Sequence, residues 1–210
     1  MSDLPPHPLH AIVDVRVAAS AGWTPLDLTR AYLDGGARVL QLRAKETPSG
    51  AFLDLAEAIV DIADEYEAGL IVNDRVDIAR LAGADGVHVG QEDLPPPAAR
   101  EQLGPAAVVG YSTHSVAQIE AALREPISYL AVGPVFGTLT KDTGYSAVGL
   151  ELVSAAARLA GSMPVVAIGG VTLDNARSAI DAGALAVAVI SDLLVGDPAE
   201  RVKAYLRILE

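Results

Sequence analysis

The 210-residue sequence contains no cysteine, which excludes disulfides, thiolate metal sites and cysteine nucleophiles. It also lacks an apolar run of the roughly 18 residues that a membrane helix needs, and its first residues lack the pattern of a secretory signal. These absences predict a cytoplasmic protein with no membrane partner. Positive charge is scarce, with a net charge of -12, which argues against a nucleic-acid partner. A small anionic ligand is not excluded, because it responds only to the local field.

No linker, composition break or low-complexity tract divides the chain. One domain over residues 1–210 is therefore predicted, with residues 1–8 as a flexible arm. Short apolar runs rich in Val, Ile, Leu and Ala alternate with longer helical patterns, as is typical of strands buried on both faces of a parallel sheet. These runs cover residues 10–15, 37–42, 69–73, 85–90, 106–110, 128–133, 164–169 and 184–190.

Eight such strands, separated by helical patterns, predict an α/β fold with a closed (β/α)8 barrel, the TIM barrel. An open doubly wound sheet is the alternative. It usually has fewer strands, and no G-x-G-x-x-G motif follows the first strand here. The longest helical pattern follows the second strand and is predicted to end at Gly69. In such a barrel, functional residues are expected at the C-terminal ends of the strands.

The segment VLQLRAKE begins as a buried strand and then becomes basic. Because side chains alternate along a strand, Leu40 and Leu42 are expected to face the helices. Gln41 and Arg43 then face the barrel interior, and Lys45 continues that face. An inward arginine needs an anion to offset its burial. The anion is either a protein carboxylate across the barrel mouth or a ligand phosphate, which suits the planar guanidinium.

Acidic residues follow the next two strands. The third strand ends at Asn73 and Asp74, and Asp93 follows the fourth strand. Consecutive strands are neighbours in a barrel, so the two aspartates are expected to approach one cation. Two carboxylates completed by phosphate oxygens and waters are a common Mg²⁺ site. An aspartate after a strand can also cap a helix, and the nearby basic residues favour a site for Mg²⁺ and diphosphate.

Hydroxyl groups and a histidine follow the fifth strand, in the segment GYSTHS. Ser112 and Thr113 offer hydroxyls, and Ser115 is expected to cap the next helix. The role of His114 stays open, as either a base or a support for another residue. His88, within the fourth strand, is interpreted as a hydrogen-bonded core histidine and not as a ligand.

The loop after the sixth strand, GPVFGTLTKDTGYSAVG, is the longest in the chain. Its glycines and its length are typical of a lid at a barrel rim. The loops after the seventh and eighth strands are the recurrent phosphate site of this barrel class, and glycine lets backbone N–H groups approach an anion. Their candidate residues are Gly169, Gly170, Ile190 and Ser191. The pattern predicts a metal-bound diphosphate near strands two to five and a monophosphate near strands six to eight.

Six blocks carry a resemblance to a known family: QLRAK, NDRVDIA, ADGVHVGQEDLP, GYSTHS, VGPVFGTLTK and VVAIGGVT. Their order and spacing, over about residues 9–194, resemble thiamine phosphate synthase. The resemblance implies a barrel enzyme that joins a hydroxymethylpyrimidine diphosphate to a thiazole phosphate, releases diphosphate and requires Mg²⁺. Its partners would be small phosphorylated substrates. The oligomeric state stays open, and a homo-oligomer is one possibility.

The resemblance also implies roles for individual residues. Asp74 and Asp93 correspond to metal ligands, and the catalytic residues correspond to Arg43, Ser112 and Lys141. The implied pyrimidine-diphosphate contacts are Gln41, Leu42, Arg43, Ala44, Lys45, Asn73, Ser112 and Lys141. The implied thiazole-phosphate contacts are Thr138, Leu139, Thr140, Gly170, Ile190 and Ser191.

The implied mechanism is dissociative: diphosphate leaves first, and the thiazole nitrogen attacks the resulting pyrimidine cation. This bond-forming step needs no general base, so neither His114 nor Glu92 is assigned as a catalyst. Two alternatives stay open. A thiazole tautomerase-like paralogue would bind one phosphate, and a non-catalytic protein would only bind thiamine phosphate. Neither requires the combination of basic residues and two aspartates found here.

Overall fold

The computed structural model describes residues 7–137 and 146–210. Within these residues, eight parallel strands form a closed barrel in chain order, and the eighth strand pairs with the first. The strands are β1 (Leu9–Asp14), β2 (Val39–Arg43), β3 (Gly69–Asn73), β4 (Gly86–Val89), β5 (Val108–Thr113), β6 (Tyr129–Val132), β7 (Val165–Ile168) and β8 (Ala186–Val189). Helices connect them, so the predicted (β/α)8 fold is confirmed.

The helices cover the outside of the barrel. They are α1 (Val15–Ser20), α2 (Pro25–Asp34), α3 (Ser49–Glu65), α4 (Val76–Ala82), α5 (Pro96–Leu103), α6 (Val116–Ala122), α7 (Gly149–Ala160), α8 (Ala176–Asp181) and α9 (Pro198–Leu209). A short 3₁₀ helix follows β8 (Ser191–Leu194). Helix α1 and the 3₁₀ helix have no counterpart in the sequence prediction.

The end predicted for the longest helix was wrong. Helix α3 ends at Glu65, and Gly69 is the first residue of β3. The amide of Ala68 donates to the carbonyl of Ala63, and Glu67 has a φ of 53°, so the chain leaves the helix before the glycine. The turn is therefore made without using the conformational freedom of Gly69.

Strand β5 extends further than predicted and includes part of the GYSTHS segment. Ser112 pairs with Ala131 in the register with β6, and Thr113 pairs with Val132. The fully buried Thr113 hydroxyl donates to the carbonyl of Ala131 at 2.9 Å. The Thr113 hydroxyl is thus used inside the sheet, and only Ser112 of this pair is oriented toward the barrel interior.

Two apolar cores follow from the alternation of side chains along each strand. Leu40 and Leu42 lie in the larger core between strands and helices, which confirms their predicted outward orientation. The smaller core fills the barrel interior and consists of Ile12, Val39, Ile71, Val108, Tyr129, Ala131, Val166, Ala186 and Ala188. The interior is therefore packed with side chains, which leaves the rim above it for a ligand that binds at the strand ends.

The predicted N-terminal arm extends partly into the described region. The carbonyl of Pro8 accepts a hydrogen bond from the Val187 amide at 2.9 Å, so this residue already joins the barrel. Residues 1–6 lie outside the described residues. In the part of the chain that is described, no helix has the length and apolar character needed to cross a membrane.

Candidate active site

All eight strands are parallel, so their C-terminal ends meet at one rim of the barrel. At this rim Arg43 and Asp14 are partners in the register of β1 and β2. The Arg43 Nη1 donates a hydrogen bond to Asp14 Oδ2, and only 12% and 2% of the two side chains are exposed. The inward arginine therefore has a protein carboxylate as its anion.

The ion pair with Asp14 does not use the whole guanidinium of Arg43. The Arg43 Nε is buried and has no hydrogen-bond partner among the described residues. Guanidinium groups present five N–H donors in a planar fork, so Arg43 can pair with a carboxylate and still bind a phosphate oxygen. Asp14 was not among the predicted site residues. Its position as the last residue of the first strand was the available signal.

Lys45, Asp74 and Asp93 form a second charged group on the same rim. Lys45 Nζ lies 3.3 Å from Asp74 Oδ2. The pKa of Asp74 is raised, first by burial and then by the charge of the neighbouring Asp93, while Lys45 opposes the shift. Asp74 also has a φ of 65°, a left-handed conformation that is uncommon outside glycine. The fold therefore holds two carboxylates together although they repel each other.

Magnesium fits this pair of carboxylates. Mg²⁺ is usually bound by one or two carboxylates, with waters and substrate phosphates completing the octahedron. Asp93 Oδ2 accepts a hydrogen bond from the Gly90 amide at 2.7 Å, which orients that carboxylate. No group of three or more His, Cys, Asp or Glu side chains suited to a metal occurs among the described residues. An ion held by Asp74 and Asp93 would therefore need oxygen ligands from substrate and water.

A pocket of about 400 Å³ opens beside the ends of β1 and β2. Residues 14–16, Ala19 and residues 43–47 line it, so it includes both members of the Asp14–Arg43 pair and Lys45. Its volume lies within the roughly 300–1,000 Å³ typical of small-molecule sites. The basic end of β2 is thus accessible to a ligand.

The other residues predicted around the diphosphate differ in accessibility. Gln41 and Asn73 are buried polar residues, with 3% and 5% exposed. Leu42 and Ala44 pack in the core between strands and helices. A substrate contact at these two positions would therefore use backbone atoms.

Ser112 hydrogen-bonds to a histidine of the interior. Its hydroxyl lies 2.8 Å from His88 Nε2, and the other ring nitrogen of His88 lies 2.8 Å from the Tyr129 hydroxyl. The interpretation of His88 as a buried, hydrogen-bonded residue is confirmed. Its contact with a predicted site residue was not anticipated.

His114 anchors the start of the loop after β6. Its Nδ1 donates to the carbonyl of Gly133, and its backbone amide donates to the Gln118 side chain at 2.7 Å. Ser115 caps α6 as predicted, since its hydroxyl accepts from the Gln118 amide. These contacts fix the position of His114 at the start of this loop, and its role stays a prediction.

Glycines bring the loops after β6 and β7 into contact. The amide of Phe136 donates to the Gly169 carbonyl at 2.9 Å. Gly170 has a φ of 65°, and a Cβ atom there would lie 2.5 Å from the carbonyl oxygen of Gly137. Only glycine therefore satisfies both the conformation and the space at position 170.

The loop after β8 is anchored through Asp192, next to Ile190 and Ser191. The Asp192 carboxylate accepts from the Leu173 amide at 3.0 Å and from Arg201 Nη2 at 2.8 Å. The predicted site residues Thr138, Leu139, Thr140 and Lys141, together with most of the expected lid, lie outside the described residues.

Comparisons with known proteins identify the family of this chain. A family model described as thiamine monophosphate synthase matches residues 9–193. The chain belongs to this family. A thiamine-phosphate synthase from Roseiflexus castenholzii is 42% identical over 190 residues, covering 90% of this chain and 82% of that protein. One from Koribacter versatilis is 46% identical over 175 residues, covering 83% and 82%.

A solved structure extends the family likeness to the fold. The thiamine phosphate pyrophosphorylase from Pyrococcus furiosus is 31% identical and superposes with a TM-score of 0.87. The match covers 97% of this chain and 96% of that one. Membership of the thiamine monophosphate synthase family therefore rests on nearly the whole barrel and not on the rim alone.

Proposed function

We propose that this protein, as a transferase of thiamine biosynthesis, condenses 4-amino-2-methyl-5-hydroxymethylpyrimidine diphosphate with a thiazole phosphate. The products are thiamine phosphate and diphosphate. Family membership supports the proposal. The observation that carries it is the grouping of Arg43, Lys45, Asp74 and Asp93 on one barrel rim. A phosphate ester whose diphosphate must leave needs this combination of fixed positive charge and metal-binding carboxylates.

In the proposed reaction the bond between the pyrimidine methylene carbon and the diphosphate oxygen breaks first. The electron pair stays on the diphosphate, and the methylene becomes a cation stabilised by the aminopyrimidine. The thiazole nitrogen then donates its lone pair to that carbon, and the thiazole becomes a thiazolium. Proton transfer is not required for this step, so no residue is assigned as its general base.

The chain's own task is to bind and orient the leaving diphosphate. Arg43 can offer the N–H groups that Asp14 does not use, and Lys45 lies beside Asp74. Lys141 is proposed as a third cation and Ser112 as a hydrogen-bond donor. Mg²⁺ held by Asp74 and Asp93 would supply further positive charge to the diphosphate oxygens.

The thiazole phosphate is proposed to bind at the opposite part of the rim, after β6, β7 and β8. The contacts proposed there are Thr138, Leu139, Thr140, Gly170, Ile190 and Ser191. Gly170 supports the proposal because glycine permits its left-handed backbone, a conformation in which successive backbone N–H groups can face an anion. The two substrates would then meet over the packed barrel interior.

The proposal is tested by mixing both substrates with the protein and Mg²⁺, and by repeating the reaction with a chelator. We expect diphosphate and thiamine phosphate in equal amounts with Mg²⁺ and little of either with the chelator. Absence of diphosphate in both reactions would contradict the proposal. Binding of thiamine phosphate without turnover would then favour a non-catalytic protein, and proton exchange on the thiazole alone would favour a tautomerase-like paralogue.

A further inference from the structure

Three residues on neighbouring strands form a hydrogen-bonded series inside the barrel. His88 Nδ1 lies 2.8 Å from the Tyr129 hydroxyl, and His88 Nε2 lies 2.8 Å from the Ser112 hydroxyl. All three residues are buried, with 5%, 5% and 8% exposed for His88, Tyr129 and Ser112. The imidazole and phenol rings stack with centroids 5.6 Å apart and an interplanar angle of 21°.

The sheet provides a dedicated space for this contact. Gly110 lies between the two rings in the register, since it pairs with His88 on one side and with Tyr129 on the other. A Cβ atom at Gly110 would lie 2.1 Å from Tyr129 Cζ. The missing side chain therefore lets the phenol cross β5 and reach His88. On its other side the phenol ring is held by an edge contact with His10 at 5.3 Å.

The direction of the hydrogen bonds follows from the chemistry of the three groups. Burial raises the pKa of the Tyr129 hydroxyl, so it remains a protonated donor. His88 is its only hydrogen-bond partner among the described residues. A His88 ring that accepts at Nδ1 carries its proton at Nε2, and that N–H donates to Ser112 Oγ.

We propose that Tyr129 and His88 are positioning residues that fix Ser112 as a hydrogen-bond donor toward the phosphorylated substrate. Because the Nε2–H of His88 is directed at Ser112 Oγ, the hydroxyl hydrogen of Ser112 cannot be donated to His88. That hydrogen is available to a ligand at the rim. Diphosphate oxygens only accept hydrogen bonds, so a serine locked in this direction suits them, whereas a serine donating to His88 would not. The identity of the substrate in this inference rests on the proposed function. The direction of the hydrogen bonds does not depend on it.

The first experiment measures the tautomer directly and needs no substrate. Long-range ¹H–¹⁵N NMR correlations report which ring nitrogen of a histidine carries the proton. The chain has only four histidines, so the His88 signals can be assigned by their loss in His88→Gln. We expect His88 to be protonated at Nε2 and not at Nδ1. Protonation at Nδ1, or at both nitrogens, at pH 8 would overturn the inference even if the synthase assay succeeds.

The second experiment asks whether the series acts through Ser112. Tyr129→Phe removes one oxygen and leaves the ring contacts, so the fold should be kept. We expect about a 10-fold lower kcat/KM for the diphosphate substrate, the effect of one hydrogen bond to a charged group. In the Ser112→Ala background the same change should have almost no further effect. Fully additive effects in this double-mutant cycle would overturn the inference.

Two substitutions of His88 complete the test. Glutamine can place an N–H donor near the position of Nε2, whereas the amide of the shorter asparagine reaches only the position of Nδ1 and cannot donate to Ser112. We expect His88→Gln to retain about 10-fold more kcat/KM than His88→Asn. Urea unfolding of both variants would separate catalysis from stability. Equal activity of the two variants at equal stability would mean that His88 only fills space.

Discussion

The two parts of the rim proposed to bind phosphate are built differently. Near β1 to β4 the rim uses charged side chains, with Arg43 paired to Asp14 and Lys45 next to Asp74. Near β7 and β8 it uses backbone, with Gly169 and Gly170 in left-handed conformations. The first part can stabilise charge that develops on a leaving group, whereas the second can hold a phosphate group that keeps its charge and its bonds during the reaction.

This difference has consequences for stability. Buried charges cost folding free energy unless each finds its partner, so the charged part depends on pairs and on a cation. The glycine-rich part depends on conformation and space, which a single methyl group can disturb. Substitutions in the charged part should therefore act by leaving a charge without its partner, whereas substitutions in the glycine-rich part should act by straining the backbone.

The largest effect is expected for Arg43→Ala. Removing the guanidinium leaves the Asp14 carboxylate buried with 2% of its side chain exposed, which should lower the free energy of unfolding by about 3–5 kcal/mol. It should also raise KM for the pyrimidine diphosphate more than KM for the thiazole phosphate. Urea unfolding and steady-state kinetics measure the two effects.

A double variant separates stability from binding at this pair. Asp14→Asn together with Arg43→Met removes both charges and should recover most of the lost stability. Binding of the diphosphate substrate should remain weak. An equal rise in KM for both substrates in Arg43→Ala would argue against the proposed division of the rim.

Asp74→Asn is expected to reduce turnover by about 100-fold or more while keeping the fold. The raised pKa of Asp74 means that its ionised form is disfavoured in the folded protein. Near neutral pH the carboxylate therefore costs stability, and asparagine should not lower the free energy of unfolding in metal-free buffer. Mg²⁺ should raise the thermal midpoint of the parent protein but not of this variant.

Asp77→Asn is a matched control for Asp74→Asn. Asp77 makes an exposed ion pair with Arg75 at the start of α4 and is not part of the proposed metal site. Its loss should leave both turnover and the Mg²⁺-dependent midpoint nearly unchanged. If Asp74→Asn behaved like this control, the metal assignment would be wrong.

Gly170→Ala tests the backbone part of the rim. The left-handed backbone costs alanine about 1–2 kcal/mol, and the new Cβ would also lie 2.5 Å from the Gly137 carbonyl oxygen. We expect KM for the thiazole phosphate to rise while KM for the diphosphate substrate changes little. Gly83→Ala is the control, because its φ of 70° is similar but no atom lies within 4 Å of the added methyl group.

The smallest effect is expected from His10, in the interior beneath both parts of the rim. Burial and the nearby His7 lower its pKa to about 4, against an ordinary value of 6.5. As the pH falls, His10 is protonated in the unfolded chain before it is protonated in the folded protein. The free energy of unfolding should therefore decrease as the pH drops from about 6.5 to 4. The loss between pH 7 and pH 5 should be about 2 kcal/mol.

His10→Asn removes this titrating group. Urea unfolding of the parent and the variant at pH 7 and pH 5 isolates the contribution of His10, because the other groups titrate in both proteins. The decline in stability should be smaller in the variant. An identical decline in the two proteins would show that His10 is not held neutral.

Much of the fold and part of the site follow from local patterns. Continuous apolar runs identify the strands of a doubly covered sheet, and their alternation with helices identifies the barrel. The inward orientation of Arg43 and the proximity of Asp74 to Asp93 follow from strand alternation and from the neighbour relation of consecutive strands. These features depend only on period and order along the chain.

Other features could not be predicted, because they depend on contacts across the barrel. Asp14 is one of several polar residues that follow or end an apolar strand. Only the register between β1 and β2 places it beside Arg43. Tyr129 and His88 are separated by 41 positions, and the gap at Gly110 that joins them exists only in the closed sheet. Local patterns contain no information on register.

The sequence by itself determined the barrel, the polarity of its rim and the acidic pair after β3 and β4, because strand period and chain order fix which ends meet. The tertiary structure alone decided the partner of Arg43, the raised pKa of Asp74 and the series from Tyr129 to Ser112. The physical reason is that hydrogen bonds and burial depend on distances of a few ångströms between strands, which only the stagger of the closed sheet specifies.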